Sequence, residues 1–205
     1  MSTTATTTTL YLTFGANGGI WAGKPNTDTG PATLRKESSG TTDMFYQAAS
    51  DNDITKSTYN VLVVTDGGKI LKSVRTSSNT GTWSTVYTAS TPLYALATDG
   101  TTWVAGGTDN NITVSDNTTS WTQGQGAVRG AVWNWAAYGN GKFVMVGYKT
   151  VNGIRQGAVQ YSSNGIGWTE GNPGTKSVLQ SIAYSPTLGM FVAVGANGAT
   201  VQVKG

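Results

Sequence analysis

One five-residue pattern returns along the whole chain: an aromatic or apolar residue, three small or apolar residues, then Gly or Thr. It reads Tyr11-Leu12-Thr13-Phe14-Gly15, Val61-Leu62-Val63-Val64-Thr65, Trp103-Val104-Ala105-Gly106-Gly107, Phe143-Val144-Met145-Val146-Gly147 and Phe191-Val192-Ala193-Val194-Gly195. Successive copies start 50, 42, 40 and 48 residues apart. Self-similarity at such a period marks an array of like units, each too small to bury its own apolar face alone. A short continuous apolar run fits a strand covered on both faces. The first and last copies continue identically, Gly15-Ala16-Asn17-Gly18 and Gly195-Ala196-Asn197-Gly198. These Asn-Gly pairs, with Asp66-Gly67-Gly68, supply the positive φ that tight hairpins need.

Other strand-like runs keep step with this pattern. Leu96-Ala97-Thr98, Ala136-Ala137-Tyr138 and Ile182-Ala183-Tyr184 precede three of the copies, and their small residues suit an inner strand crowded near an axis. A third strand is expected after each hairpin, over 69–75, 111–115, 158–162 and 199–204. The composition agrees: the 205 residues include 34 Thr and 28 Gly but only two Glu, so turn and strand formers displace helix formers. Seven Trp, nine Tyr and four Phe are enough to build a core, which excludes a disordered chain.

A second element is stricter. Ser-x-Asn-x-x-x-Trp occurs three times without insertion or deletion: Ser77/Asn79/Trp83, Ser115/Asn117/Trp121 and Ser162/Asn164/Trp168. Each copy follows an expected third strand. Ser163-Asn164-Gly165 with Trp168 resembles the Asp-box, or bacterial neuraminidase repeat, of β-propellers. Asn stands for the box Asp in all three copies, and the box Gly is not held at one register: Gly81 lies four places after its Ser and Gly167 five, where the middle copy has Ser120. The resemblance implies an all-β fold, a small propeller of five blades with up to four antiparallel strands each. Locally, the Ser hydroxyl and Asn amide bond backbone groups across a turn, and the indole wedges between adjacent sheets.

The resemblance divides the chain into residues 1–9, a Thr-rich arm or closing strand, and residues 10–205, the propeller. The β-branched run Thr3–Thr9 is read as the inner strand of the first blade, as the closing strand of the fifth, or as a mobile tail that tethers the disc. Lys24–Arg35 contains Pro25 and Pro31 and no Trp, so the first unit lacks a box and its outer edge is expected to be irregular.

The chain has no His and no Cys, which removes Ser-His and Cys-His nucleophile pairs, dithiols and disulfides, and most metal sites. No cofactor and no metal are expected. Asp51-Asn52-Asp53 is the densest oxygen cluster and reads as a solvated turn. A net charge of +3, with cations dispersed, does not make a nucleic-acid face, and no apolar run approaches a membrane span. A sialidase-like enzyme would need clustered Arg, and the four present (Arg35, Arg75, Arg129, Arg155) do not occupy matching positions. Trp133, Trp135 and Tyr138 form the richest aromatic group. Period-2 alternation puts Trp133 and Trp135 on one strand face, either as a glycan platform or as packing between units. Arg155 falls in a polar hairpin loop, Lys149–Gln156, expected to project toward a partner.

No enzyme is expected. Box-bearing propellers occur in phage particles, and the first nine residues lack a signal peptide's cationic start and apolar stretch. The resemblance therefore implies a virion protein synthesised in the host cytoplasm: a capsid decoration or knob, or a tail- or fibre-associated part, contacting other virion proteins and a host surface glycan. The alternative is a soluble carbohydrate-binding propeller with a shallow sugar site on each blade.

Overall fold

A computed structural model describes residues 11–24, 33–51, 57–76 and 81–204. All of its long elements are β-strands, in five antiparallel sheets whose strands follow chain order. Sheet 1 holds β1 (Tyr11–Phe14), β2 (Ile20–Lys24) and β3 (Thr33–Glu37). Sheet 2 holds β4 (Phe45–Ser50), β5 (Thr58–Thr65), β6 (Lys69–Thr76) and β7 (Ser84–Thr88). Sheet 3 holds β8 (Leu93–Thr98), β9 (Trp103–Gly107), β10 (Ile112–Ser115) and β11 (Thr122–Gln123). Sheet 4 holds β12 (Ala131–Gly139), β13 (Lys142–Val151), β14 (Ile154–Ser162) and β15 (Thr169–Gly171). Sheet 5 holds β16 (Leu179–Ser185), β17 (Met190–Gly195) and β18 (Thr200–Lys204). The five copies of the apolar pattern are β1, the end of β5, β9, β13 and β17. The run Met1–Thr9 and the first-box residues Ser77 and Asn79 lie outside the described residues.

The sheets pack face to face in chain order, with one buried apolar cluster at each seam. Ile20, Phe45, Val63 and Trp83 fill the seam between sheets 1 and 2; Leu62, Leu93, Leu96 and Trp103 that between sheets 2 and 3. Val104, Trp133, Met145 and Trp168 fill the seam between sheets 3 and 4; Val146, Ile182 and Phe191 that between sheets 4 and 5. The first strands converge: β4 packs on β8, β8 on β12 and β12 on β16. Gln47 of β4 ties three of them together. Its side-chain oxygen accepts from Leu96 N and Ala136 N at 3.0 Å each, and its amide donates to Ala136 O at 2.8 Å. This glutamine is buried and its amide satisfied, so it adds directional bonds where apolar packing alone would leave rotation free.

Each converging strand carries one extra residue at the same place. Leu93 pairs with Gly107 but Ala95 with Gly106; Trp133 pairs with Gly147 but Trp135 with Val146; Leu179 pairs with Gly195 but Ser181 with Val194. On β4 the shift falls between Phe45 and Ala48. The repeat's terminal Gly now has a cause. A Cβ on Gly107, Gly147 or Gly195 would lie 1.9, 1.9 or 2.2 Å from the carbonyl oxygen of Pro92, Val132 or Val178. Gly15 meets no such carbonyl: its nearest neighbour would be the Trp21 ring at 3.8 Å.

Candidate functional site

The bulges build the site. A β-bulge leaves its extra residue outside the regular alternation and re-aims that side chain. Here the re-aimed residues are Tyr46, Tyr94, Asn134 and Gln180, and all four line one depression of about 470 Å³. Trp135, Tyr148 and Arg155 of sheet 4 also line it. Four sheets thus contribute unlike residues to one place where their first strands converge.

The wall is held by few but definite contacts. The Tyr46 and Tyr94 rings meet edge to face with centroids 4.6 Å apart. Burial, then the neighbouring Tyr94 and Asp66, hold the Tyr46 phenol above its ordinary pKa. The Asn134 amide donates to Leu179 O at 2.7 Å, which pins it across the seam to sheet 5. The Arg155 guanidinium lies 4.6 Å above the Tyr148 ring centroid, a cation–π contact. Among the described residues no carboxylate pairs with Arg155. The acidic group of the neighbouring strand β15, Glu170, is held instead by Lys149 at 2.6 Å. The site offers aromatic faces, amides and one unpaired cation, and the residues named as lining it include no carboxylate.

A wider depression of about 560 Å³ lies over the 36–43 loop. Its charges answer each other: Lys69 pairs with Asp43 at 3.1 Å and donates to Thr41 Oγ1 at 2.9 Å. Burial raises the pKa of Asp43, but bonds from Thr41, Lys69 and Thr65 and the charge of Lys69 outweigh it and hold the value low. That depression has less free chemistry than the bulge-lined one.

The box residues serve turns. Ser115 Oγ accepts from Thr118 N at 2.9 Å, and Asn117 Oδ1 accepts from Thr119 N and Ser120 N at 3.0 and 2.7 Å. Ser162 Oγ accepts from Gly165 N at 2.9 Å, and Asn164 Oδ1 from Ile166 N and Gly167 N at 3.0 and 3.1 Å. The indoles of Trp83, Trp121 and Trp168 each enter a seam with the preceding sheet. Trp168 Nε1 donates to Gly165 O at 2.8 Å, within its own turn. Trp83 Nε1 instead donates to Glu37 of sheet 1 at 2.8 Å, while Trp121 is half-buried against Tyr87 and its indole nitrogen has no partner.

Three readings from the sequence change. Trp133 and Trp135 do not share a face, because the extra residue Asn134 between them turns Trp135 away from Trp133. Trp133 is fully buried between sheets 3 and 4 with Nε1 on Asn110 Oδ1 at 3.1 Å, whereas Trp135 lies at the seam with sheet 5. Tyr138 packs on Phe143 and the buried cluster rather than joining a platform. Arg155 is no loop residue: β13 and β14 pair to the hairpin's tip, with Thr150 opposite Arg155. The structure therefore brings Trp135 and Arg155 together and leaves Trp133 in the core with Tyr138, partly buried, packed against it. Tyr46, Tyr94, Asn134 and Gln180 were not singled out by the sequence. Their only signal was indirect, the invariant-looking Gly at the end of the third, fourth and fifth apolar runs.

Among the comparisons with known proteins, no family model matches the chain and no curated protein matches it.

Proposed function

We propose that the five sheets are blades of a small β-propeller. We further propose that the chain is a non-enzymatic virion structural protein, a capsid decoration or knob or a tail- or fibre-associated component. It would act in assembly or host attachment through its bulge-lined end. The propeller reading is supported by the chain-order packing of the sheets, by first strands that converge on Gln47, and by box-like turns whose indoles enter three of the four described seams. Tyr11, Trp21 and Leu34 on sheet 1 and Val194 on sheet 5 remain exposed. In a closed ring they lie on the two faces that meet.

The observation that carries the binding role is the lining of the pocket: rings, amides and one guanidinium, arranged for contact rather than for general acid–base transfer. The virion assignment rests on the resemblance of the Ser-Asn-Trp turns to the Asp-box. Density-gradient fractionation of the source tests it: the chain should band with intact particles. Confinement to the particle-free fraction would overturn it and leave the second reading, a soluble carbohydrate-binding propeller. A specific observation favours that second reading in a modified form. The bulged positions carry Tyr, Tyr, Asn and Gln, so the chain has the makings of one asymmetric site rather than one equivalent site per sheet.

A further inference from the structure

The geometry points to a carboxylate-bearing saccharide, of the uronic-acid type, as the ligand of the bulge-lined pocket. This rests on the reading of that end as the binding face. Three observations converge. Partly exposed rings, Tyr46, Tyr94 and Trp135, stand around one open depression, and such rings take the C–H faces of pyranoses. Gln180 is exposed and Asn134 is pinned by its own amide to sheet 5, so the carbonyl oxygen of Asn134 and both ends of Gln180 are left for hydroxyl groups. Arg155 is exposed and its guanidinium lies over the Tyr148 ring, which restrains it and leaves its N–H groups free for a carboxylate. An unpaired cation in a wall of rings and amides selects one negative charge set among hydroxyls.

An acidic peptide would also meet Arg155, but it presents no pyranose faces to the rings of Tyr46, Tyr94 and Trp135 and leaves them without a partner. A neutral saccharide would use the rings and amides and leave the guanidinium unanswered.

The test titrates the full chain with tetragalacturonate, maltotetraose and a tetraglutamate peptide, read by tryptophan emission and by calorimetry. Tetragalacturonate should bind most tightly, and Arg155→Gln should weaken it about tenfold, the scale of one charge-assisted pair. The same variant should leave weak maltotetraose binding and the melting temperature unchanged, since the side chain is exposed. Tyr94→Ala should weaken both saccharides. Equal affinity for the two saccharides, tighter binding of the peptide, no binding of any probe, or an Arg155→Gln variant that binds tetragalacturonate as the parent does would each overturn the proposal. None of these outcomes alters whether the chain bands with particles, so the failure of this inference and of the virion reading are told apart.

Discussion

The seam between sheets 1 and 2 and the seam between sheets 3 and 4 solve one packing problem with opposite chemistry. At each, an indole from a box-like turn enters the interface and must place its N–H. In the seam of sheets 3 and 4 the Trp168 N–H stays inside its own turn, and Val104, Trp133 and Met145 around it are apolar. In the seam of sheets 1 and 2 the Trp83 N–H goes to Glu37, which also receives both terminal nitrogens of the fully buried Arg75 and a contact from Arg35 at 3.1 Å. The Arg75 guanidinium also lies 5.1 Å from the centre of the Trp83 ring. Sheet 1 has three described strands and brings Leu12, Phe14 and Ile20 to this seam. A buried ion pair with an indole donor supplies direction there, at a desolvation cost that a missing partner would expose. A repeated motif thus keeps the position of its ring, while the polar partner of that ring differs: Glu37 of the neighbouring sheet for Trp83, Gly165 of its own turn for Trp168.

The largest expected effect comes from breaking the charged seam. Arg75→Met leaves Glu37 buried without its main partner and should cost about 3–5 kcal/mol in urea unfolding. Adding Glu37→Gln should recover part of that loss, because no uncompensated charge then remains. A loss under about 1 kcal/mol for the single variant would mean that the pair is not buried in solution. Acid should act on the same seam. Burial raises the pKa of Glu37, but the bonds from Arg75 and Trp83 and the charges of Arg75 and Arg35 outweigh it and hold the value below the ordinary 4.5. A carboxylate depressed in the folded state stabilises fully above its unfolded pKa, and that contribution fades as pH falls through the folded value. The stability of the parent should therefore drop below about pH 4.5 more steeply than that of the Glu37→Gln/Arg75→Met pair. Parallel curves would remove Glu37 from the account.

The indoles come next. Trp168→Ala, which empties a nearly closed site, should cost about 3–5 kcal/mol in the same measurement. Trp121→Ala should cost clearly less, since its ring is half-buried and its nitrogen unpartnered. Equal losses would erase the distinction between seams. Gly147→Ala drives a Cβ against the Val132 carbonyl and should cost about 1–3 kcal/mol, whereas Gly15→Ala, with free space, should shift stability by less than about 1 kcal/mol. If the two glycines respond alike, the bulge is not what holds Gly147. The smallest effect is Asn164→Ala, which frees Ile166 N and Gly167 N at an exposed turn and should cost about 1 kcal/mol by thermal unfolding.

Much of the strand order is readable from residues. The runs at 61–65, 103–107 and 143–147 are apolar on both sides because sheets cover both faces, the run at 191–195 keeps the pattern with Val194 exposed, and the turns between strands announce themselves through Asn, Asp and Gly. Asn17, Asn152 and Asn197 take positive φ in turns after apolar runs, and Asn140 does so in the turn before 143–147. The box spacing likewise places Trp121 and Trp168 at seams, since Ser115 with Asn117 and Ser162 with Asn164 close their turns with purely local bonds. The candidate site was far less legible. Alternation assigns Trp133 and Trp135 to one face, and one additional residue, Asn134, reverses that assignment. In the sequence Arg75 is one of four arginines in unmatched positions, and nothing near it in the chain announces Glu37.

What the residues settled alone is everything that short-range chemistry controls: extended runs, positive-φ turns, capped Ser-Asn loops and the number of like units. What tertiary packing decided is which way side chains face and whom they meet. A bulge changes orientation by inserting a single residue, and an ion pair such as Glu37–Arg75 joins positions 38 residues apart. Both depend on a neighbouring sheet being in place, so no window of sequence short enough to read as a motif contains them.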